Sequence, residues 1–121
     1  MGGNSKGAIV SSVIVYQKFN TDPQSGHDIF RTTGATTKNP VAVRGTVDLK
    51  TAFVGGTVKI ESTDLQGGDH QDFILSGAAA PVTKVFTSDR IFQGVYSGGA
   101  SAGEVYFVLE IIGKGIREFD L

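Results

Sequence analysis

The sequence from Asp89 to Ile112, DRIFQGVYSGGASAGEVYFVLEII, contains the clearest strand pattern in the chain. In its second half one face carries Val105, Phe107, Leu109 and Ile111, and the other Glu104, Tyr106, Val108 and Glu110. Side chains that alternate in this way over such a length are typical of a β-strand. The glycine-rich stretch at 97–103 supplies the conformational freedom for a chain reversal. The pattern therefore predicts a β-hairpin whose apolar face packs against further strands.

The composition is that of a single all-β domain. The 121 residues are enough for one domain with its own core, and 17 glycines against three prolines indicate many tight turns. Eleven basic and 12 acidic residues balance, so we expect no nucleic-acid partner. The absence of cysteine excludes disulfides, a thiolate nucleophile and cysteine-ligated zinc. No apolar run approaches the ~18 residues of a membrane-spanning helix, so we expect no membrane partner.

Short apolar or alternating runs recur along the chain, with turn-forming residues about every 8–12 positions. They predict an all-β fold, an antiparallel β-sandwich or jelly-roll-like barrel of about eight short strands. We expect a flexible N-terminal tail at 1–7 and a single β-sandwich domain at 8–121 that ends in a C-terminal tail at 113–121. Besides the two strands of the hairpin, the expected strands lie at 8–19, 28–33, 41–50, 57–62, 73–75 and 82–87, with turns between them, including one at 51–56.

The run at 8–19, AIVSSVIVYQKF, is apolar on both strand faces around Val13 to Tyr16. Such a run predicts a strand that is buried on both sides or that lies against a neighbouring subunit. We therefore interpret 8–19 as an inter-subunit strand, and we expect deletion of residues 1–19 to abolish assembly and leave a folded domain. We add to the predicted interface Tyr106, which lies on the outer face of its strand, and the apolar residues Ile116 and Phe119 of the C-terminal tail. The predicted interface residues are Val13, Val15, Tyr16, Tyr106, Ile116 and Phe119.

The densest group of possible metal ligands lies in and beside the expected hairpin loop at 64–72: Glu61, Asp64, Asp69, His70 and Asp72. Their order does not match a calcium loop, and turn geometry by itself favours Asp and Gly, so we expect a solvated tip. The alternation of 57–62 predicts that Glu61 faces outward. His27 and His70 lie in predicted loops, and no serine has the G-x-S-x-G context of a hydrolase nucleophile. Glu104 and Glu110 are too far apart on one strand for a glycosidase pair. We predict no enzyme, and no catalytic, cofactor or metal site.

Three stretches between Gly45 and Ile112 carry a resemblance to a known family. They are GTVDLKTAFVGGTVKIESTD at 45–64, DHQDFIL at 69–75 and IFQGVYSGGASAGEVYFVLEI at 91–111. In this order they resemble a group of small tailed-phage virion proteins with a β-sandwich fold. In that group a GG-T-V-x-I-x-S strand and a G-x-Y-S-G hairpin recur together, here at Gly55–Ser62 and Gly94–Gly98.

The resemblance implies a structural role in the virion and carries no catalytic residues. It implies a capsid cement or decoration protein that stabilises the head by binding the lattice of the major capsid protein, or else a head-to-tail or tail component. The expected partners are further copies of the chain, with a trimer favoured, and the major capsid protein or another virion protein. No cofactor is expected.

Two other functions remain open. Loops at 20–27, 34–40 and 64–72, if clustered at one end of the sandwich, are compatible with a carbohydrate- or receptor-binding module such as a fibre tip or adhesin domain. The absence of tryptophan argues against that function. A metal-assisted hydrolase that uses His70 and Asp72 is the third class, and a loss of thermal stability in EDTA is its expected signature.

Overall fold

The computed structural model describes residues 9–22, 26–97 and 99–114, and in these ranges all regular structure is β. The strands are β1 (Ile9–Phe19), β2 (Gly26–Arg31), β3 (Val41–Val54), β4 (Thr57–Thr63), β5 (Gln71–Leu75), β6 (Val82–Phe86), β7 (Ile91–Ser97) and β8 (Ala102–Lys114). They form two antiparallel four-stranded sheets, β1-β8-β3-β6 (sheet A) and β2-β7-β4-β5 (sheet B). The predicted eight-stranded β-sandwich is confirmed. The described part of the chain holds no helix of the length and apolarity that crossing a membrane requires.

The core lies between the two sheets. The face of β8 that was predicted to be apolar is fully buried. From sheet B, Phe92 stacks on Phe30 with 4.6 Å between the ring centroids. Phe73 and Phe86 approach the ring of Phe92 edge-on, at 5.6 and 5.2 Å. Complete burial of one such side chain stabilises the fold by about 2–3 kcal/mol, so this aromatic cluster determines how the sheets face each other.

Strands β7 and β8 do not form a hairpin, and that prediction was wrong. β7 lies in sheet B between β2 and β4, whereas β8 lies in sheet A between β1 and β3. The connection between them crosses from one sheet to the other, and the N–H of Ser101 donates to the carbonyl of Val54 at 2.9 Å. The apolar faces of the two strands meet across the core. Side chains alternate with a period of two whether the two strands face each other across the core or pair directly in one sheet. The local sequence pattern therefore did not distinguish a sheet crossing from a hairpin.

Strand β3 is longer than predicted, with 14 residues. Its pairing with β8 shifts register between Leu49 and Thr51 and again between Thr51 and Val54. Such bulges insert residues that interrupt the alternation of faces, which is why 51–56 resembled a turn. The turn itself is confined to Gly55 and Gly56, and Gly55 has a φ of 85° that favours glycine.

Strand β1 is an integral part of sheet A. All 11 of its residues have partners on β8. Ile14 and Tyr16 face inward and pack against the core, whereas Val13 and Val15 face solvent, 62% and 59% exposed. The alternative that both faces of β1 are buried is therefore wrong for the single chain. Deletion of residues 1–19 would remove core contacts together with the outer face, so we no longer expect a folded domain from that truncation.

Candidate functional site

The free edge of β1 is a long stretch of backbone at which another strand can pair. In the part of the chain that the structure describes, no strand pairs with its outer side. Its pairing with β8 runs without a bulge, and it contains no proline. Proteins usually make such edges short, bulged or charged, because unpaired N–H and C=O groups recruit other strands. The one charged residue of β1, Lys18, is turned inward, with its ammonium 5.5 Å from the centroid of the Tyr96 ring.

The outer face of sheet A adds exposed apolar side chains beside this edge. Val15 lies next to Val108 of β8, and Val13 lies next to Glu110. We call the exposed Val13 and Val15, together with the half-buried Val108, the outer patch. Contiguous exposed apolar residues mark contact surfaces more often than scattered ones do. The edge and the outer patch together form a surface that suits a neighbouring β-structure.

Three of the six predicted interface residues lie on this outer face. Val13 and Val15 belong to the outer patch. Tyr106 lies beside them, where its hydroxyl accepts a hydrogen bond from Gln17 Nε2 at 2.8 Å and donates one to Glu104 at 3.2 Å. These bonds fix the ring on the surface of the sheet, so the structure brings the three predicted residues together.

Tyr16 lies on the opposite face of β1, turned towards the core. Its ring centroid is 6.3 Å from that of Phe107 and 6.1 Å from that of His27. Burial raises the pKa of its phenol. Tyr16 therefore holds β1 to the sandwich and is not part of the outer face. The two remaining predicted interface residues, Ile116 and Phe119, lie outside the described residues.

Arg90 is an important polar residue that the sequence reasoning missed. It is 6% exposed, and its Nε donates to Ser62 Oγ at 3.1 Å while Nη1 donates to the Asp69 carboxylate at 2.7 Å. Its Nη2 donates to the carbonyls of Ser62 and Asp69 at 3.0 and 2.7 Å. One guanidinium therefore ties β4 and the start of β7 to the loop before β5. The sequence did contain a signal. Arg90 lies two positions before the inward-facing Phe92, so strand alternation places both side chains on the same face.

Glu61 is buried, 7% exposed, and the prediction that it faces solvent was wrong. The pairing of β4 with β5 shifts register between Ile60 and Glu61, and this bulge changes the surroundings of the side chain. One carboxylate oxygen accepts a hydrogen bond from Gln93 Nε2 at 2.5 Å and bonds to His70 Nδ1 at 2.8 Å. Burial raises the pKa of this carboxyl, but the bonds to His70 and Gln93 outweigh it and leave the pKa below its usual value.

The other acids of the predicted tip are also held by internal contacts. Asp64 accepts hydrogen bonds from the backbone N–H groups of Gln66 and Gly68, at 2.9 and 2.8 Å. Asp72 pairs with Lys59 at 2.6 Å. Within residues 9–22, 26–97 and 99–114, no three histidine, aspartate or glutamate side chains converge as metal ligands. The β4–β5 hairpin is confirmed, although β5 begins two residues earlier than predicted.

The bond between Glu61 and His70 makes the stability depend on pH. Because the folded-state pKa of Glu61 is lowered from 4.5, its contribution is complete above that value and is lost as the pH falls through the lowered folded-state pKa. We expect Glu61→Gln to make the fall in unfolding free energy between about pH 5 and 3 shallower. Urea denaturation over a pH series measures this. Asp28→Asn, at an exposed position of β2, is the control, and a slope in Glu61→Gln equal to that of the wild type would contradict the assignment.

The loops expected to share one end of the sandwich do not do so. Strand β2 begins at Gly26 beside Val95 and ends at Arg31 beside Ile91, so the loops before and after it lie at opposite ends. The loop after β4 lies at the second of these ends, because Thr63 also pairs with Ile91. Of the loops at 20–27, 34–40 and 64–72, only the last two share an end. His27, expected in the first of them, lies in β2. The combined loop surface that motivated a carbohydrate-binding function is therefore not formed.

No protein-family model matches the chain, and no curated protein sequence matches it significantly. The argument for its function therefore depends on its own geometry and on the motifs in its sequence.

Proposed function

We propose that the chain is a non-enzymatic virion structural protein of a tailed bacteriophage. Its role is that of a capsid cement or decoration protein, which binds the lattice of the major capsid protein as an oligomer and stabilises the head. The observation that carries this proposal is the long free edge of β1 with the exposed Val13 and Val15 beside it. The resemblance of the segment from Gly45 to Ile112 to small phage virion proteins supports the location in the particle.

Strand addition is the proposed mode of binding. An edge strand of a neighbouring virion protein pairs with β1, and the backbone hydrogen bonds supply affinity while alternate side chains set the register. Val13 and Val15 project from the same face of β1, so one partner covers both. Each valine is already partly covered, and its complete burial contributes about 1 kcal/mol.

Oligomerisation strengthens this modest contact. A symmetric oligomer, with a trimer favoured, presents several β1 edges to a lattice that repeats the same acceptor. Once one edge is bound, the others bind at a high effective concentration, and the overall affinity rises without new contacts. A weak site on each copy is therefore sufficient for a cement protein.

The arrangement of polar side chains also supports a structural role. The buried charged residues Arg90 and Glu61 each have their hydrogen-bonding capacity directed at neighbouring loops and strands. His70 is bonded to Glu61, and Asp72 is paired with Lys59. These contacts hold the β4–β5 hairpin in place. His70 and Asp72, the two residues considered for a metal-assisted hydrolase, therefore have a structural role.

Co-sedimentation with phage particles tests the proposal. Particles that lack the chain are mixed with the purified protein, and we expect saturable binding and a higher temperature of DNA release from the heads. Bovine serum albumin is the control for trapping in the pellet. A chain that stays in the supernatant at all concentrations, with no change in the release temperature, would contradict the proposed function.

A further inference from the structure

The sandwich is open at one side, between β3 and the connection from β5 to β6. Strand β6 pairs only with Val41–Gly45, so in the described ranges no strand covers that side of residues 46–54. The opening leads into a cavity of about 600 Å³ between the two sheets. A cavity of roughly 300–1,000 Å³ with mainly apolar walls is typical of a site for a small molecule.

Core residues beside this opening are incompletely covered. Leu49 lies directly opposite the fully buried Val105 of β8, so its side chain is on the inner face of sheet A, yet it is 39% exposed. Phe53 and Val82 pack against the core and are also only partly buried. Removing such apolar surface from water stabilises a fold. A ligand in the cavity would therefore complete the burial of these three side chains.

The walls of the cavity are apolar and uncharged. None of the lining residues, all of them in the described ranges, is an acid or a base. Thr57 and Ser76 are the lining residues with a polar side chain, and the Thr57 hydroxyl is already hydrogen-bonded to Ser97 Oγ at 2.7 Å. A charged ligand would lose its hydration here without gaining a charged partner. The main apolar lining residues are Leu49, Phe53, Val58, Phe73, Ile74 and Val82.

We propose that this cavity is a binding site for a small, uncharged and mainly hydrocarbon molecule, such as a medium-chain alcohol. The hydrocarbon part replaces water against Leu49, Phe53 and Val82, and the uncharged walls select against acids and amines. The site lies on the β5–β6 side of the sandwich, whereas β1 forms the opposite edge of sheet A. The inference is therefore independent of the proposed function.

Displacement of a fluorescent probe tests the inference on the full chain. N-phenyl-1-naphthylamine is uncharged at neutral pH, and its emission rises when apolar surroundings replace water. We expect saturable binding of the probe and its displacement by 1-octanol. Octanoate and octylammonium should compete at least about tenfold less well, because their charges would be desolvated. The absence of saturable probe binding, or equal competition by the three compounds, would overturn the inference.

Two variants of the β5–β6 connection locate the site. Ala78 lines the cavity, so we expect Ala78→Trp to fill it and to lower the affinity for the probe at least about tenfold. Ala79 is exposed and is not a lining residue, so Ala79→Trp is the matched control and should bind the probe like the wild type. Wild-type affinity in a folded Ala78→Trp chain would show that the probe binds elsewhere.

Nuclear magnetic resonance of the wild-type chain decides the location even if Ala78→Trp does not fold. We expect 1-octanol to shift the methyl resonances of Leu49 and Val82, which line the cavity. The methyl resonances of Val13 and Val15, on the outer patch, should not move. Shifts confined to Val13 and Val15 would indicate non-specific binding to the exposed face and would contradict the inference.

The chain's own C-terminal segment is the competing occupant, and one variant distinguishes it from a ligand. We expect Phe119→Asp to leave the affinity for the probe unchanged. A rise of at least about tenfold would show that residues 115–121 compete for the cavity, and it would overturn the inference. Failure of the chain to bind phage particles would contradict the proposed function and leave the result at the cavity intact.

Discussion

We expect Arg90→Ala to lower the free energy of unfolding by about 3 kcal/mol. The guanidinium makes four hydrogen bonds to Ser62 and Asp69 in a position that is almost completely buried. Its removal leaves the hydroxyl and carbonyl of Ser62 without that partner and opens a void beneath the loop. Leaving a buried polar group unpaired costs more than the bond itself contributed. Urea denaturation at a fixed protein concentration measures the change.

Two control variants distinguish this network from a general effect of charge. Arg44→Ala, on the exposed face of β3, is expected to change the stability by no more than about 0.5 kcal/mol. Asp69→Asn keeps a residue that tolerates the positive φ of 49° at this position and removes only the charge. Asp69 is largely exposed, so we expect a smaller loss than in Arg90→Ala. If Arg90→Ala and Arg44→Ala had equal stabilities, Arg90 would not be the structural link described above.

The second large effect is expected at Gly94 of β7. A Cβ at this position would lie 2.5 Å from ring atoms of Tyr16 on the opposite sheet. The ring has little room to move, because it lies between Phe107 and His27. We expect Gly94→Ala to lower the free energy of unfolding by about 2 kcal/mol. Alanine is otherwise no worse than glycine in a strand, so a loss here indicates the close contact itself.

A double-mutant cycle identifies that contact. In a Tyr16→Ala background the obstruction is absent, and Gly94→Ala should cost at least about 1 kcal/mol less than it does in the wild type. Gly77→Ala is the control for alanine introduction, because open space surrounds that position. Additive losses in the cycle would show that Tyr16 does not pack against β7. They would also weaken the conclusion that β1 is integral to the sandwich.

The strands were predictable because their side chains alternate with a period of two. The buried face of β8 and most strand positions followed from that alternation alone. The pairing was not predictable, as the error on β7 and β8 shows. A glycine-rich connection flanked by two apolar runs leads either to a hairpin or to a crossing between sheets. Only the packing of Phe92 and its neighbours across the core decides between them.

The polar cluster was less predictable than the strands. Glu61 was assigned to solvent by its alternation, and the bulge next to Ile60 depends on the partner strand, which the local sequence does not specify. Arg90 lies just outside β7 and was not singled out from the sequence, although strand alternation places it on the same face as the buried Phe92. The exposure of Val13 and Val15 was one of two alternatives, and it depends on the position of β1 at the edge of sheet A.

Binding of edge variants to phage particles tests the central claim most directly. The double variant Val13→Lys/Val15→Lys places two charges on β1, and Val85→Lys places one at the opposite edge of sheet A, where the valine is 63% exposed. Circular dichroism and thermal unfolding first establish that both variants fold. We predict that the β1 variant loses at least about tenfold in affinity for the particles, while Val85→Lys binds like the wild type. Wild-type occupancy by the folded β1 variant would contradict the claim that this edge joins the chain to the particle.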